Sequence, residues 1–274
     1  MNSYNLYEDI SKRTNGDIYL GVVGPVRCGK STFITNFVNE MILPKINNEH
    51  DRNRTIDELP QSADGKIIMT TQPHFVPKDA VKIKVNDNIE LKIKLVDCVG
   101  YAIPGVEGMQ ENEKPRLVKT PWQNEPMPFE KAAEIGTKKV ITEHSTIAVV
   151  MTTDGSFGDL DRASFVDAEQ KTINELKALN KPFVVVLNTT QPDEEITLNL
   201  CQSLQKKYDV PVIPVDVLNM STDNIDDIFQ CVLQEFPLYS LRVRMPQWLQ
   251  ALPYDDDIIK EIIQESKQFI LNAK

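Results

Sequence analysis

Basic residues are scarce relative to acidic ones in this sequence. The 274 residues include 30 Lys and Arg against 40 Asp and Glu, which gives a formal net charge of −10. A protein that holds DNA or RNA through the phosphate backbone needs a basic surface. The charge balance therefore argues against nucleic acid as a partner.

Cysteines and long apolar runs are also few. The four cysteines, Cys28, Cys98, Cys201 and Cys231, show neither metal-ligand spacing nor a disulfide framework, which is typical of a reducing compartment. No apolar run approaches the length of about 18 residues that a membrane span requires. The N-terminal segment lacks the apolar core of a signal peptide. We therefore expect a cytoplasmic protein without a transmembrane segment.

What the sequence does contain is a complete phosphate-binding loop. Residues 24–31 read GPVRCGKS, which matches the pattern G-x-x-x-x-G-K-[ST]. An apolar run at 18–23 predicts the strand before this loop, and helical apolar spacing over 32–41 predicts the helix after it. In such a loop Lys30 reaches the β- and γ-phosphates, and the Ser31 hydroxyl is a ligand of Mg²⁺. The sequence therefore predicts a bound nucleoside triphosphate with Mg²⁺.

The loop residues assigned to nucleotide binding are Gly24, Arg27, Cys28, Gly29, Lys30, Ser31 and Thr32. The two glycines supply turns and a close backbone approach that a Cβ would obstruct. For Arg27 two interpretations stay open, contact with phosphate or exposure to solvent.

A second element predicted to sense phosphate lies at residues 95–100, where an apolar strand ends in D-x-x-G. The Asp97 carboxylate at the strand tip can bind Mg²⁺ through water, and the Gly100 N–H can contact a γ-phosphate. D-x-x-G alone is a weak pattern, but its place one hairpin after the phosphate loop strengthens it. A threonine is then expected upstream to complete the Mg²⁺ shell, and either Thr70 or Thr71 is suitably placed.

Strands alternate with helices along the chain, which predicts an α/β fold of the P-loop NTPase kind with a mainly parallel sheet and helices on both faces. A hairpin at 81–96 adds one antiparallel edge strand. Later strands are predicted at 146–152, 183–188 and 210–215, and helices at about 130–143, 161–179, 196–207 and 224–235. Two long segments, 44–71 and 101–129, lack regular periodicity and are predicted to be switch-like loops. Arg52 and Arg54 in the first segment are either cations that act in catalysis or solvated loop residues.

Base recognition departs from the GTPase pattern. GTPases of this layout read guanine with N-K-x-D, whereas residues 188–191 read NTTQ, so that only Asn188 is retained and is assigned to the nucleotide site. Gln191 cannot supply the charged acceptor for guanine, which favours ATP over GTP. Tyr101 follows D-x-x-G where many such enzymes place a water-orienting Gln, and a Tyr cannot copy the amide's donor and acceptor pair. Hydrolysis is therefore expected to be slow.

Further motifs give the chain a specific resemblance over almost its whole length. DELPQS, TTQP, LVDCVGY, TPW, EIGTKKVI, EHSTI and TTDGS, together with the phosphate loop, resemble the stage IV sporulation protein A family, the morphogenetic ATPases of the endospore coat. The resemblance implies a fold similar to translation-factor GTPases, with ATP as nucleotide. It implies Lys30 and Ser31 as Walker A residues, Thr70 and Thr71 as sensor threonines, and Asp97 as the Walker B carboxylate.

The resemblance also implies partners and a location. Family members polymerise in an ATP-dependent way on the outer forespore surface, in the mother-cell cytoplasm, and form the basement layer of the coat. They bind a small amphipathic peptide of the forespore membrane and a LysM-type coat or cortex morphogenetic protein. Because family chains are nearly twice as long, residues 1–237 are predicted to be the ATPase domain and 238–274 the start of a following helical region. Two alternatives are a nucleotide-binding scaffold with negligible hydrolysis and a GTPase-like switch.

Overall fold

A six-stranded sheet forms the core of the protein. The computed structural model describes residues 14, 16–60, 73–86, 89–106, 110–111, 114–236 and 243–272. The strands are β1 Asp17–Val23, β2 His74–Asn86, β3 Ile89–Asp97, β4 Gln110–Glu111, β5 Lys114–Pro115, β6 Leu117–Thr120, β7 Gln123–Pro128, β8 Ile147–Thr153, β9 Phe183–Asn188 and β10 Val212–Val215. The α-helices are α1 Lys30–Phe37, α2 Glu49–Asp57, α3 Phe129–Lys139, α4 Val166–Ala178, α5 Glu195–Tyr208, α6 Thr222–Gln234, α7 Gln247–Gln250 and α8 Asp257–Asn272.

The strand order of the main sheet is β10-β9-β8-β1-β3-β2, and all neighbouring strands run parallel except one pair. β1 pairs with β3 and β8, and β9 pairs with β8 and β10, in parallel register, whereas the edge strand β2 is antiparallel to β3. Every residue of β8 and of β9 is buried, as expected for apolar strands covered on both faces. The predicted α/β class with a single antiparallel edge strand is therefore confirmed.

The phosphate loop connects the end of β1 to the start of α1. Helix α1 packs through Phe33, Ile34 and Phe37, and the Phe37 ring meets the Phe229 ring of α6 edge-on at 5.9 Å between centroids. Because β1 sits in the middle of the sheet, between β8 and β3, its carboxyl end opens at the centre of the sheet edge. That edge is where ligands bind in open α/β sheets.

The two segments predicted as irregular loops contain regular structure. In the first, α2 begins after Asn48, whose side chain caps the helix by accepting the His50 N–H at 2.9 Å. In the second, β6 and β7 form a short antiparallel hairpin before α3 begins at Phe129. The expectation of loops without regular structure is therefore wrong for these parts, and their role as switches stays a prediction.

The chain divides into two units, Met1–Leu233 and Gln234–Lys274. The second unit contains α7 and α8. The predicted domain boundary after residue 237 stays a prediction. No helix in the described ranges combines the length and the apolarity that a bilayer span needs.

Candidate nucleotide-binding site

Backbone geometry makes glycine necessary at both ends of the phosphate loop. Gly24 has a φ of 137°, and a Cβ there would lie 2.2 Å from the Met151 carbonyl oxygen of β8. Gly29 has a φ of 96°, and its Cβ would lie 2.3 Å from Asn188 Nδ2. Side chains other than glycine are strained at such φ angles and would displace backbone or a buried amide. The loop is thus fitted closely against the ends of β8 and β9.

Lys30 lies inside the loop. Its side chain is buried, and its ammonium group donates a hydrogen bond to the carbonyl oxygen of Pro25. The Cys28 sulfur lies within hydrogen-bond distance of the carbonyl oxygens of Pro25 and Met151, which share its single S–H. Burial raises the pKa of Cys28, so that it packs as a neutral thiol. An anionic phosphate oxygen forms a stronger bond with an ammonium group than a neutral carbonyl does. Lys30 is therefore placed to exchange a backbone partner for phosphate.

Ser31 and Asp97 come together from α1 and β3. The Ser31 hydroxyl donates to Asp97 Oδ2 at 3.3 Å, while the buried Asp97 Oδ1 has no hydrogen-bond partner among the described residues. Burial raises the pKa of Asp97, and the nearby Lys30 ammonium acts in the opposite direction. A buried carboxylate oxygen without a partner is costly, and Mg²⁺ prefers such oxygens together with substrate phosphates.

Mg²⁺ therefore fits this pair. In the described ranges no group of three or more His, Cys, Asp or Glu side chains could hold a metal ion. A Mg²⁺ bound with ATP needs only one or two protein carboxylates, since phosphates and waters complete its shell.

Gly100 brings the D-x-x-G element against the phosphate loop. At its φ of 97°, a Cβ would lie 2.3 Å from the Gly24 carbonyl oxygen and 2.6 Å from Lys30 Nζ. The Gly100 N–H, predicted to contact a γ-phosphate, here donates to Thr137 Oγ1 of α3 at 3.2 Å. Sequence reasoning missed Thr137, and no pattern around it points to this contact across 37 positions.

The backbone of Tyr101 is hydrogen-bonded to the phosphate loop, whereas its side chain is hydrogen-bonded to helix α4. Its N–H donates to the Gly24 carbonyl at 3.2 Å and its carbonyl accepts the Val26 N–H at 2.9 Å. Its buried hydroxyl donates to the Glu175 carboxylate of α4, and burial together with this bond raises the pKa of Tyr101. Tyr101 is thus a structural link between loop and helix.

Asn188 at the end of β9 clamps the loop. Its side-chain amide donates to the Cys28 carbonyl at 3.2 Å and accepts the Val217 N–H at 3.3 Å. Its neighbour Thr189 is fully buried and donates to Asp154 Oδ2 at 2.6 Å, whereas Gln191 is exposed. Thr189 stands at the position that holds Lys in GTPases, and it is therefore buried and held by Asp154.

The remaining predicted residues are exposed or half-buried, or lie outside the described residues. Arg27 is exposed, with a φ of 63°, and Thr32 is half-buried in the first turn of α1. Arg54 forms an exposed ion pair with Asp79 at 3.4 Å, which is worth little in water. Thr70 and Thr71 fall in the range 61–72, outside the described residues.

Residues 1–237 match a family model described as the ATPase domain of stage IV sporulation protein A. The chain belongs to the stage IV sporulation protein A family. The identification of residues 1–237 as an ATPase domain of this family agrees with the loss of the guanine-reading motif.

Curated relatives carry the same family name. The chain is 53% identical over 268 residues to stage IV sporulation protein A of Clostridioides difficile (strain 630), covering 98% of this chain and 55% of that protein. It is 49% identical over 252 residues to that of Bacillus anthracis, covering 92% and 51%. It is 48% identical over 266 residues to that of Bacillus subtilis (strain 168), covering 97% and 54%. The chain thus spans about half the length of these relatives.

The likeness to one solved structure is distant. A crystal structure of an SsGBP variant matches with a TM-score of 0.44 at 18% identity, covering 82% of this chain and 58% of that one. A likeness at this level adds nothing to the family assignment.

Proposed function

We propose that this chain is the Mg²⁺-dependent ATP-hydrolysing part of a morphogenetic protein whose turnover drives assembly of the spore coat basement layer. The observation that carries the proposal is the hydrogen bond between Ser31 of the phosphate loop and Asp97, near the buried Lys30, in a family ATPase domain. An unpartnered carboxylate oxygen beside a buried lysine is the arrangement that a triphosphate with its cation would satisfy.

Each residue has a distinct proposed role. Lys30 binds the β- and γ-phosphates, Ser31 and Asp97 hold Mg²⁺, and the glycine-rich backbone between Gly24 and Gly29 cradles the anion. Mg²⁺, when bound, neutralises charge on the phosphate oxygens. Asn188 acts on the nucleotide indirectly, because its amide holds the loop backbone.

Two variants test these roles. Lys30→Ala should abolish ATP binding, because the phosphates lose the buried cation of the loop. Thr70→Ala combined with Thr71→Ala should leave binding largely intact and stop hydrolysis, since sensor threonines act on Mg²⁺ and contribute little to anchoring. Calorimetric titration with ATP and a phosphate-release assay measure the two effects separately. Loss of binding in the threonine variant would contradict the sensor role, and binding retained by Lys30→Ala would contradict the site.

Assembly and partners belong to the proposal for the longer protein. We infer self-polymerisation on the outer forespore surface, contact with a small amphipathic peptide of the forespore membrane, and binding of a LysM-type coat or cortex protein. A polymer needs two complementary surfaces on each subunit, and such surfaces are often supplied by separate domains. Residues 1–274 alone should therefore stay monomeric or form small oligomers with ATP and Mg²⁺, while a family-length chain scatters light after ATP addition. Filaments from residues 1–274 would assign the assembly surface to this part.

A nucleotide-binding scaffold with negligible hydrolysis is the second candidate. It is favoured by Tyr101, whose hydroxyl is engaged by Glu175 and therefore does not replace the missing water-orienting Gln. Phosphate release by the unmodified chain that exceeds release by Lys30→Ala supports the ATPase. Tight ATP binding with equal release by both chains supports the scaffold, and faster turnover of GTP than of ATP would support a GTPase-like switch.

A further inference from the structure

Gly100 packs against the phosphate loop, but its N–H is engaged by a side chain from outside the loop. Gly100 packs so closely on Lys30 that a Cβ would lie 2.6 Å from the ammonium nitrogen. Its N–H nevertheless donates to Thr137 Oγ1 at 3.2 Å, in a buried contact. The N–H that the D-x-x-G pattern predicts to contact a γ-phosphate therefore already has a hydrogen-bond acceptor on α3.

The orientation of the Thr137 hydroxyl is fixed by a second bond. Thr137 is fully buried, and its hydroxyl donates to the Ala133 carbonyl one turn earlier in α3 at 2.8 Å. A hydroxyl has one proton to donate, so Thr137 meets Gly100 only as an acceptor. It therefore competes with a phosphate oxygen for the Gly100 N–H, because it has no proton left with which to bind that oxygen.

We propose that Thr137 is a positioning residue that occupies the Gly100 N–H until the γ-phosphate of ATP displaces it. The inference rests on the proposed ATPase function and adds a γ-phosphate-sensing contact on α3. ADP fills the loop around Lys30 but has no γ-phosphate to reach Gly100, so the bond to Thr137 persists with ADP. An anionic oxygen is the stronger acceptor, which makes the exchange favourable with ATP.

The test compares ATP and ADP affinities in a variant that lacks the hydroxyl. In Thr137→Val the buried Gly100 N–H has no acceptor without nucleotide or with ADP, and the γ-phosphate relieves this deficit. An unsatisfied buried donor corresponds to a change of roughly fivefold to more than a hundredfold in an equilibrium constant. The affinity for a non-hydrolysable ATP analogue relative to ADP, measured by calorimetry with Mg²⁺, should therefore rise by at least about fivefold. Thr137→Ser keeps the hydroxyl and should preserve the wild-type ratio.

Helix α4 offers a matched control. Thr172 is also fully buried and donates to a carbonyl one turn earlier, that of Ala168, at the same distance of 2.8 Å. Thr172→Val removes an equivalent helix bond while leaving the Thr137–Gly100 contact in place, so it should leave the ratio of ATP-analogue to ADP affinity unchanged. An unchanged ratio in Thr137→Val, or an equal change in both valine variants, would overturn the inference.

A measurement on the unmodified chain guards against a variant that fails to fold. Hydrogen exchange over residues 129–139 should change on adding the ATP analogue and not on adding ADP, because only the former releases Thr137. Equal exchange with the two nucleotides would also overturn the inference. Failure of the proposed nucleotide site has a different signature, since the unmodified chain would then bind neither nucleotide. Failure of hydrolysis alone leaves both affinities measurable and appears in the phosphate-release assay.

Discussion

Replacing Asn188 by Ala should weaken both the fold and ATP binding. The Asn188 amide joins two backbone groups that have no connection along the chain, the Cys28 carbonyl in the phosphate loop and the Val217 N–H beyond β10. Asn188 is buried, with 7% of its surface exposed, so that water cannot simply take its place. Its amide nitrogen also packs on Gly29, the residue from which α1 begins.

The magnitude follows from the two groups left behind. Asn188→Ala leaves a buried acceptor and a buried donor without partners, at about 1 to 3 kcal/mol each, so the free energy of unfolding should fall by about 2 to 6 kcal/mol. Asn188→Asp retains the acceptor for Val217 but places an oxygen against the Cys28 carbonyl and a negative charge near the triphosphate. That variant should lose more ATP affinity than the Ala variant, because repulsion is added to the loss of a bond.

Urea unfolding and ATP titration measure the two effects on the same samples. Asn36→Ala is the control, since Asn36 of α1 donates to the Val217 and Leu218 carbonyls at 2.6 and 3.1 Å and makes no such bond to the loop. It should lower stability and leave ATP affinity near the wild-type value. If Asn188→Ala lost stability but kept full ATP affinity, the loop would be held without the clamp and our reasoning would be refuted.

Two further predictions concern charge and base choice. Because burial raises the pKa of Asp97, the ionised form of its carboxyl opposes folding. Asp97→Asn should therefore stabilise the nucleotide-free chain at neutral pH, and this gain should disappear as pH falls through the raised pKa. The same variant should lose hydrolysis. Thermal unfolding across that pH range checks this, and a gain that grew as pH fell would contradict it. Gln191→Asp should raise the affinity for GTP relative to that for ATP, since it restores a charged acceptor at an exposed position. Adding Thr189→Lys should also lower the stability of the fold, because Thr189 is buried against Asp154. Competition between the two nucleotides measures the change, and an unaltered preference in the Gln191 variant would show that base choice is made elsewhere.

Strands were predictable from the sequence where burial is complete. The run predicted at 183–188 coincides with β9, and the run at 146–152 differs from β8 by one residue at each end. Helix α2 was not predicted, because of its nine residues only Thr55 is buried and the chain therefore shows no apolar periodicity. Its order comes instead from the Asn48 cap and from acidic residues in its first turn, which are local signals easily mistaken for a polar loop.

The site was predictable as far as its motifs are contiguous. Ser31 of the loop and Asp97 of the D-x-x-G element are joined by a hydrogen bond, while their roles in binding nucleotide and Mg²⁺ stay predictions. The partners of Gly100 and Asn188 could not be predicted, because Thr137 and Val217 reach them from 37 and 29 positions away. Such contacts depend on the packing of α3 and on the end of β10, and the local sequence gives no sign of either.

Gly100 and Tyr101, which lie against the phosphate loop, form hydrogen bonds to two different helices, and these two bonds differ in strength. Gly100 is bonded to Thr137 of α3 through a neutral N–H and a hydroxyl, whereas Tyr101 is bonded to the Glu175 carboxylate of α4. Hydrogen bonds to an ionised group are roughly twice as strong as neutral ones. A γ-phosphate that competes for the Gly100 N–H therefore breaks the weaker hydrogen bond, the one to Thr137, while the bond from Tyr101 to Glu175 keeps the loop attached to α4. We accordingly expect ATP to loosen α3 from the loop and to leave α4 in place.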